Sequence, residues 1–207
     1  MIAFTRDISA SIAQCQLTHL ARMPIDVDRA RAQHAAYERA LTAMACTVER
    51  LAAGDQMPDA VFIEDTAVVL DEIAIITRPG AESRRGETEA VAQALHPFRA
   101  LISIEAPATV DGGDVLVVGR SVFIGTSSRT NEDAVEQIRR ALLPFRYHVQ
   151  PVAVTGCLHL KSAITALDEE TLLINPDYVR ADLFTGFRLL HVHHLEPAGA
   201  NVLRVGR

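Results

Sequence analysis

Behind Pro24-Ile25-Asp26, apolar side chains recur at helical spacing. Tyr37, Leu41, Met44, Ala45 and Val48 predict one long helix to about residue 50, with Asp26 as its N-cap. The pattern then changes to short apolar runs. Strands are predicted at 60–63 continuing to 67–70, and at 73–77, the second ending in the turn Pro79-Gly80. A second helix is predicted over 86–96, with Val91, Ala94 and Leu95 on one face. Strands follow at 101–104, 115–118 and 121–124. A third helix over 131–143 carries a stripe of Ala134, Val135, Ile138, Ala141 and Leu142. Further strands are predicted at 148–154, 162–166, 171–174, 188–193 and 201–205, and a short helix starting at Pro176.

The pattern repeats. Ala90-Val91-Ala92-Gln93 is echoed by Ala134-Val135-Glu136-Gln137, and Pro97-Phe98-Arg99 by Pro144-Phe145-Arg146. With the helix starts, these echoes predict a helix-plus-strands unit of roughly 45–55 residues. Counted in such units, the sequence stops where another helix is expected. The chain is therefore expected to be C-terminally incomplete, and residues 1–207 are expected to form a single α/β domain.

Composition narrows the function. A net charge of −6 gives no basic field for phosphates, which argues against nucleic-acid binding. No apolar run reaches the length of a membrane span, and the N-terminus lacks a signal-peptide pattern, so a cytoplasmic protein is expected. Cys15, Cys46 and Cys157 are odd in number and widely spaced, without a CxxC pattern, so a disulfide framework is not expected.

Candidate chemistry stands out against the apolar runs. Glu64 and Asp65 interrupt VFIEDTAVV, where a buried carboxylate is costly unless paired. In a strand they point to opposite faces, so one lines a pocket and the other is held behind it. The alternative is a strand end with solvated acids. Asp59 adds an acid at the entrance. His159 lies between two leucines in Gly156-Cys157-Leu158-His159-Leu160-Lys161-Ser162, either a satisfied core histidine or an acid–base group; Cys157 shares its strand face. Asp111-Gly112-Gly113-Asp114 reads first as a tight turn with glycines at positive φ, and second as a place where Asp111 orients a histidine. Arg84, Arg85 and Arg129 precede helices, either as solvated arginines or as clamps for a carboxylate. His191 and His193 share a strand face but lack a completing ligand, so no metal is expected.

Five stretches together carry a resemblance: AVFIEDTAVV (60–69), ITRPGAESRRGETE (76–89), TVDGGDVLVVG (109–119), FIGTSSRTNEDA (123–134) and LHLKSA (158–163). In order and spacing the chain resembles the dimethylarginine dimethylaminohydrolases (dimethylargininases) of the guanidino-group-modifying, or pentein, superfamily. The HLK of residues 159–161 favours this family over the arginine deiminases, which usually have HLD there. The resemblance implies a five-repeat α/β propeller whose last repeat is incomplete in this chain. It implies that Asp65 holds a guanidinium, that Glu64 supports the site from its buried side, and that Asp59 meets an α-amino group. Arg84 and Arg129 would bind the α-carboxylate, with Phe62 also at the site. A backbone carbonyl near Cys15–Leu17, represented by Leu17, would contact substrate from a lid. His159 would be the general acid/base, oriented by Asp111. The implied reaction converts a methylated arginine to citrulline and dimethylamine through a covalent thiouronium on cysteine, without metal or organic cofactor. The family's nucleophilic cysteine matches none of the three cysteines, so it is expected beyond residue 207, and the 207-residue chain is expected to be inactive. The alternatives are a non-catalytic guanidino-binding protein and an enzyme acting on arginine. The partner implied is a small molecule, and a homodimer is compatible with the resemblance.

Overall fold

The computed structural model describes residues 1–18 and 21–206. Four small sheets are built from one recurring unit. In the complete form a strand turns back into an antiparallel neighbour, the chain crosses over, and a third strand lies parallel to the second. β3 (Ala67–Val69), β4 (Ile73–Ile76) and β5 (Ala100–Ser103) make one such unit. β6 (Val115–Val118), β7 (Ser121–Thr126) and β8 (His148–Ala153) make the next. β9 (Ile164–Ala166), β10 (Thr171–Ile174) and β11 (Arg188–His191) make another. The first unit has only the parallel pair β1 (Ile2–Arg6) and β2 (Thr47–Leu51). The sheets do not join into a closed barrel among the described residues.

The crossover helices follow the apolar pattern. α1 (Val27–Ala43) begins at Asp26, whose side chain accepts from the Arg29 amide at 3.0 Å. It ends earlier than expected, because Ala45 turns left-handed at φ 63° and Thr47–Leu51 leaves as β2. α2 (Thr88–Leu95) extends a 3-10 turn, Glu82–Glu87. α3 (Glu132–Leu142) is capped by Asn131 and carries acids in its first turn and Arg139 and Arg140 in its last, matching the helix dipole at both ends. Its buried stripe is Ala134, Val135, Ile138 and Leu142.

Three expected elements are absent. Residues 60–63 form a turn that runs into the 3-10 helix Ile63–Thr66 instead of a strand. No helix starts at Pro176: Asn175 accepts from the Asp177 amide in a local turn, and Phe184 fills the space over the sheet, 4.9 Å ring to ring from Phe123. Residues 201–205 form no strand; the Val202 amide donates to the Thr165 hydroxyl at 3.4 Å instead of to a neighbouring strand.

The cores lie between successive sheets. Ala74, Ile76, Val91 and Leu95 pack with Phe4 and Leu51, joining the first two units. Val68, Ile75 and Val110 pack with Val122, Ile124, Ile138 and Leu142. Leu116, Phe123 and Val152 pack with Leu160, Ile164, Leu172 and Phe184. This chain of interfaces sets the site. The short turns that enter three successive units, Ile63–Thr66, Gly112–Asp114 and α4 (Leu160–Ala163), converge on one cavity.

Candidate active site

The cavity holds about 550 Å³ and is reached by Asp59, Asp65, Arg84, Arg129 and His159. Asp65 comes from the first entry turn and His159 from the residue before α4; the second turn brings Gly113 to the lining, with Asp111 and Asp114 buried behind it.

Asp65 lies on a 3-10 turn rather than in a strand, which corrects the strand alternation expected for Glu64 and Asp65. One Asp65 oxygen accepts from the Gly113 amide at 2.9 Å, and the other from Arg84 at 2.6 Å. Burial alone would raise its pKa; the charges of His159 and Arg84 outweigh burial and hold it below the ordinary carboxylate range. Asp65 is thus a fixed, buried anion.

Arg84 departs from expectation. Its guanidinium is 3% exposed and bridges Asp65 and Glu87, with further bonds to the carbonyls of Asp59 and Phe62. It is an internal counter-ion that locks the carboxylate wall, rather than a free clamp for a ligand carboxylate. Glu64 also departs. It is exposed instead of buried, and its carboxylate pairs with Lys161 at 2.6 Å across the cavity mouth.

His159 sits beside two carboxylates. Its Nδ1 is 3.6 Å from Asp114 Oδ1 and its Nε2 3.8 Å from Asp65 Oδ1, both too long for full hydrogen bonds. Burial would lower its pKa, but Asp114, Asp65 and Asp111 together raise it above the ordinary value. Asp111 was expected to orient the ring. Asp114 is the acid that faces Nδ1, and it is itself held by the Leu160 amide at 2.9 Å and the Thr130 hydroxyl at 2.6 Å. Asp111 instead accepts from the Gly80 amide at 2.9 Å and faces Arg129 at 3.6 Å, and burial raises its pKa. The signal for Asp114 was present in the same Asp-Gly-Gly-Asp stretch.

The two glycines there are not at positive φ. They are required by close approach. A Cβ on Gly113 would meet Asp65 Oδ1 at 2.8 Å and the His159 ring at 2.9 Å, and one on Gly112 would meet the Glu64 carbonyl at 2.1 Å.

The outer wall is looser. Asp59 is 3% exposed, yet among the described residues only one of its oxygens has a partner, the Gln16 amide at 2.9 Å. Through that amide the Cys15–Leu17 segment reaches the acids. The Cys15 carbonyl accepts from Arg22, and the half-exposed Leu17 lines the cavity. Arg129 lines the cavity with Phe62 and bonds the Thr18 hydroxyl at 3.2 Å. Cys157 lies beside His159 in sequence, but its thiol points to the His159 carbonyl at 3.4 Å, and burial pushes its pKa up to about 11. It is a protonated thiol at neutral pH. Cys46 is buried away from the cavity lining; Cys15 is buried in that lining.

Asp65, Asp111 and His159 bring one candidate ligand atom each within 4.8 Å of one another, but Arg84 and Arg129 already supply the compensating positive charge. His191, His193 and His194 belong to no such group among the described residues.

A fixed anion, an imidazole beside it, a second buried acid and an arginine around one cavity make a site for a small zwitterion with a cationic head, with acid–base chemistry at that head. Comparisons with known proteins show the family. The profile of the family described as N,N dimethylarginine dimethylhydrolase, eukaryotic, matches residues 5–182, and the chain belongs to this family. A relative from Streptomyces coelicolor named N(G),N(G)-dimethylarginine dimethylaminohydrolase is 41% identical over 172 residues, 83% of this chain and 67% of the relative. A protein of the same name from Pseudomonas aeruginosa is 36% identical over 182 residues, 87% of this chain and 72% of the relative. The solved structure of the DDAH from Pseudomonas aeruginosa, a cysteine-to-serine mutant complexed with citrulline, matches with a TM-score of 0.92 at 34% identity, covering 98% of this chain and 80% of that one. The N-terminal domain of ArgZ, at 17% identity and a TM-score of 0.86, shares the fold alone. No described helix is long and apolar enough to cross a membrane.

Proposed function

We propose that this chain forms the substrate-holding and acid–base part of a hydrolase acting on the guanidinium of Nω-methylated arginines, releasing citrulline and methylamine or dimethylamine. The observation that carries the reading is Asp65, a buried carboxylate held ionised by Arg84 with the His159 ring 3.8 Å from it. Asp65 anchors the guanidinium. Asp59, with a buried oxygen that has no partner among the described residues, takes the α-ammonium, and Arg129 takes the α-carboxylate. A thiolate adds to the guanidinium carbon. His159 protonates the departing amine, and the C–N bond breaks to leave a thiouronium on sulfur. His159 then takes a proton from water as it attacks, and sulfur leaves as citrulline forms. Fixing the planar cation matters because its resonance makes the carbon a poor electrophile, so orientation supplies much of the rate.

Cys157 does not serve as the nucleophile: its thiol is held protonated and turned away, towards a carbonyl. We assign the thiolate to residues outside the 207 described by this sequence, within a single propeller domain of five units. The same protonated Cys157 favours a second reading, a guanidino-binding protein without turnover.

The test combines two measurements on the chain. Nω,Nω-dimethylarginine should raise the melting temperature, because binding to the native state alone stabilises it, while no citrulline accumulates. Absence of any thermal shift overturns the binding site. Citrulline formation overturns the assignment of the thiolate elsewhere and points to Cys15.

A further inference from the structure

Lys161 and Glu64 are 97 residues apart, yet their charged ends meet at 2.6 Å across the cavity mouth. An exposed ion pair is ordinarily worth little. This one differs in placement. Lys161 is only 20% exposed, its stem forms part of the cavity wall, and Glu64 adjoins the anchoring Asp65 in the chain. We propose that Lys161 is a specificity-determining residue that selects alkylated over unsubstituted guanidinium groups; the proposal rests on the guanidino reading of the site given above.

The physical argument is a count of donors and acceptors. An unsubstituted guanidinium head offers four terminal N–H bonds and the Nε–H. Asp65 has already given one oxygen to Gly113 and the other to Arg84, so each retains limited capacity. Glu64 is the next acceptor along the wall. With Lys161 on Oε1, Glu64 has given up one of its roughly four acceptor sites, and the ammonium offsets much of its charge. A donor-rich head then meets a weakened acceptor, and any N–H left unpaired inside the cavity is costly. A dimethylated nitrogen brings no N–H and loses nothing there. Rejection through an unpaired polar group is a strong form of discrimination, stronger than loss of a methyl contact. Simple repulsion by the ammonium would act on both cations alike, so it changes both affinities together and leaves their ratio untouched.

The experiment is isothermal titration of the chain with Nω,Nω-dimethylarginine and with arginine, for the wild type, Lys161→Met and Lys161→Arg. Met keeps the stem and removes the charge; Arg keeps a cation on Glu64. The expected result is that Lys161→Met strengthens arginine binding about tenfold relative to dimethylarginine, one charge-assisted hydrogen bond being worth that factor or more. Lys161→Arg should retain the wild-type ratio. An unchanged ratio in Lys161→Met, with both ligands still binding, overturns the selectivity role and leaves the guanidino site standing. Binding of neither ligand by the wild type overturns both. A thermal melt of each variant establishes that it is folded.

Discussion

Asp59 and Asp65 lie six residues apart and are nearly equally buried, at 3% and 7% exposure, yet they are held differently. Around Asp65, the floor is saturated. Arg84 spans Asp65 and Glu87, Gly113 donates from below, and His159 stands alongside. Around Asp59, the rim is open. Among the described residues, one oxygen has only a backbone amide from the segment above, and the other has no partner. A protein does not leave a buried carboxylate half-satisfied for stability's sake. The floor spends its hydrogen bonds on itself and holds a charge in place; the rim keeps an acceptor free for something that arrives. Pre-organised charge beneath and unpaired capacity above is the arrangement that a cationic ligand needs.

The comparison breaks most severely at Arg84. Arg84→Leu removes the guanidinium that buried Asp65 and Glu87 share, and should cost about 3–5 kcal/mol of stability in a denaturant titration. Next is Gly113→Ala. Its Cβ, 2.8 Å from Asp65 Oδ1 and 2.9 Å from the His159 ring, should force both apart. A loss of about 1–3 kcal/mol is expected from overpacking, with dimethylarginine binding weakened more than tenfold (~1.4 kcal/mol or more). Asp59→Asn should behave in the opposite sense. Neutralising an acid with an unpartnered oxygen should leave stability within about 1 kcal/mol or raise it, while binding weakens about tenfold through loss of a charge-assisted bond. If Asp59→Asn destabilises as strongly as Arg84→Leu, floor and rim are not distinct.

The smallest effect sharpens the picture through pH. His159 has a folded pKa raised above its ordinary 6.5. Its contribution to stability is therefore complete below 6.5 and is lost as pH rises through the raised value. Stability measured from pH 5.5 to pH 9 should fall across that window in the wild type, and this component should vanish in His159→Asn. A stability curve with the same slope in both proteins would remove Asp65 and Asp114 as its electrostatic partners.

Much of this was legible in the sequence where local physics acts alone. Asp26 announces a helix start as a side-chain cap, and the Val135–Ile138–Leu142 stripe faces the core as its spacing demands. Asp65, Asp59 and His159 reach one cavity as expected. What failed depended on contacts between distant segments. Glu64 turns outward because Lys161 lies across the mouth, and Arg84 turns inward because two acids wait there. Asp111 and Asp114 are two glycines apart, and only the placement of α4 against Gly112–Asp114 decides that Asp114 faces the ring. The glycines themselves signal crowding between two units, which no turn rule encodes.

The central claim is that Asp65 is the anchor for a guanidinium. Calorimetric titration of Nω,Nω-dimethylarginine into the wild type and into Asp65→Asn tests it most directly, with a thermal melt to show that the near-isosteric variant is folded. The account predicts saturable binding to the wild type and none to Asp65→Asn. Equal affinity for the two proteins would contradict it.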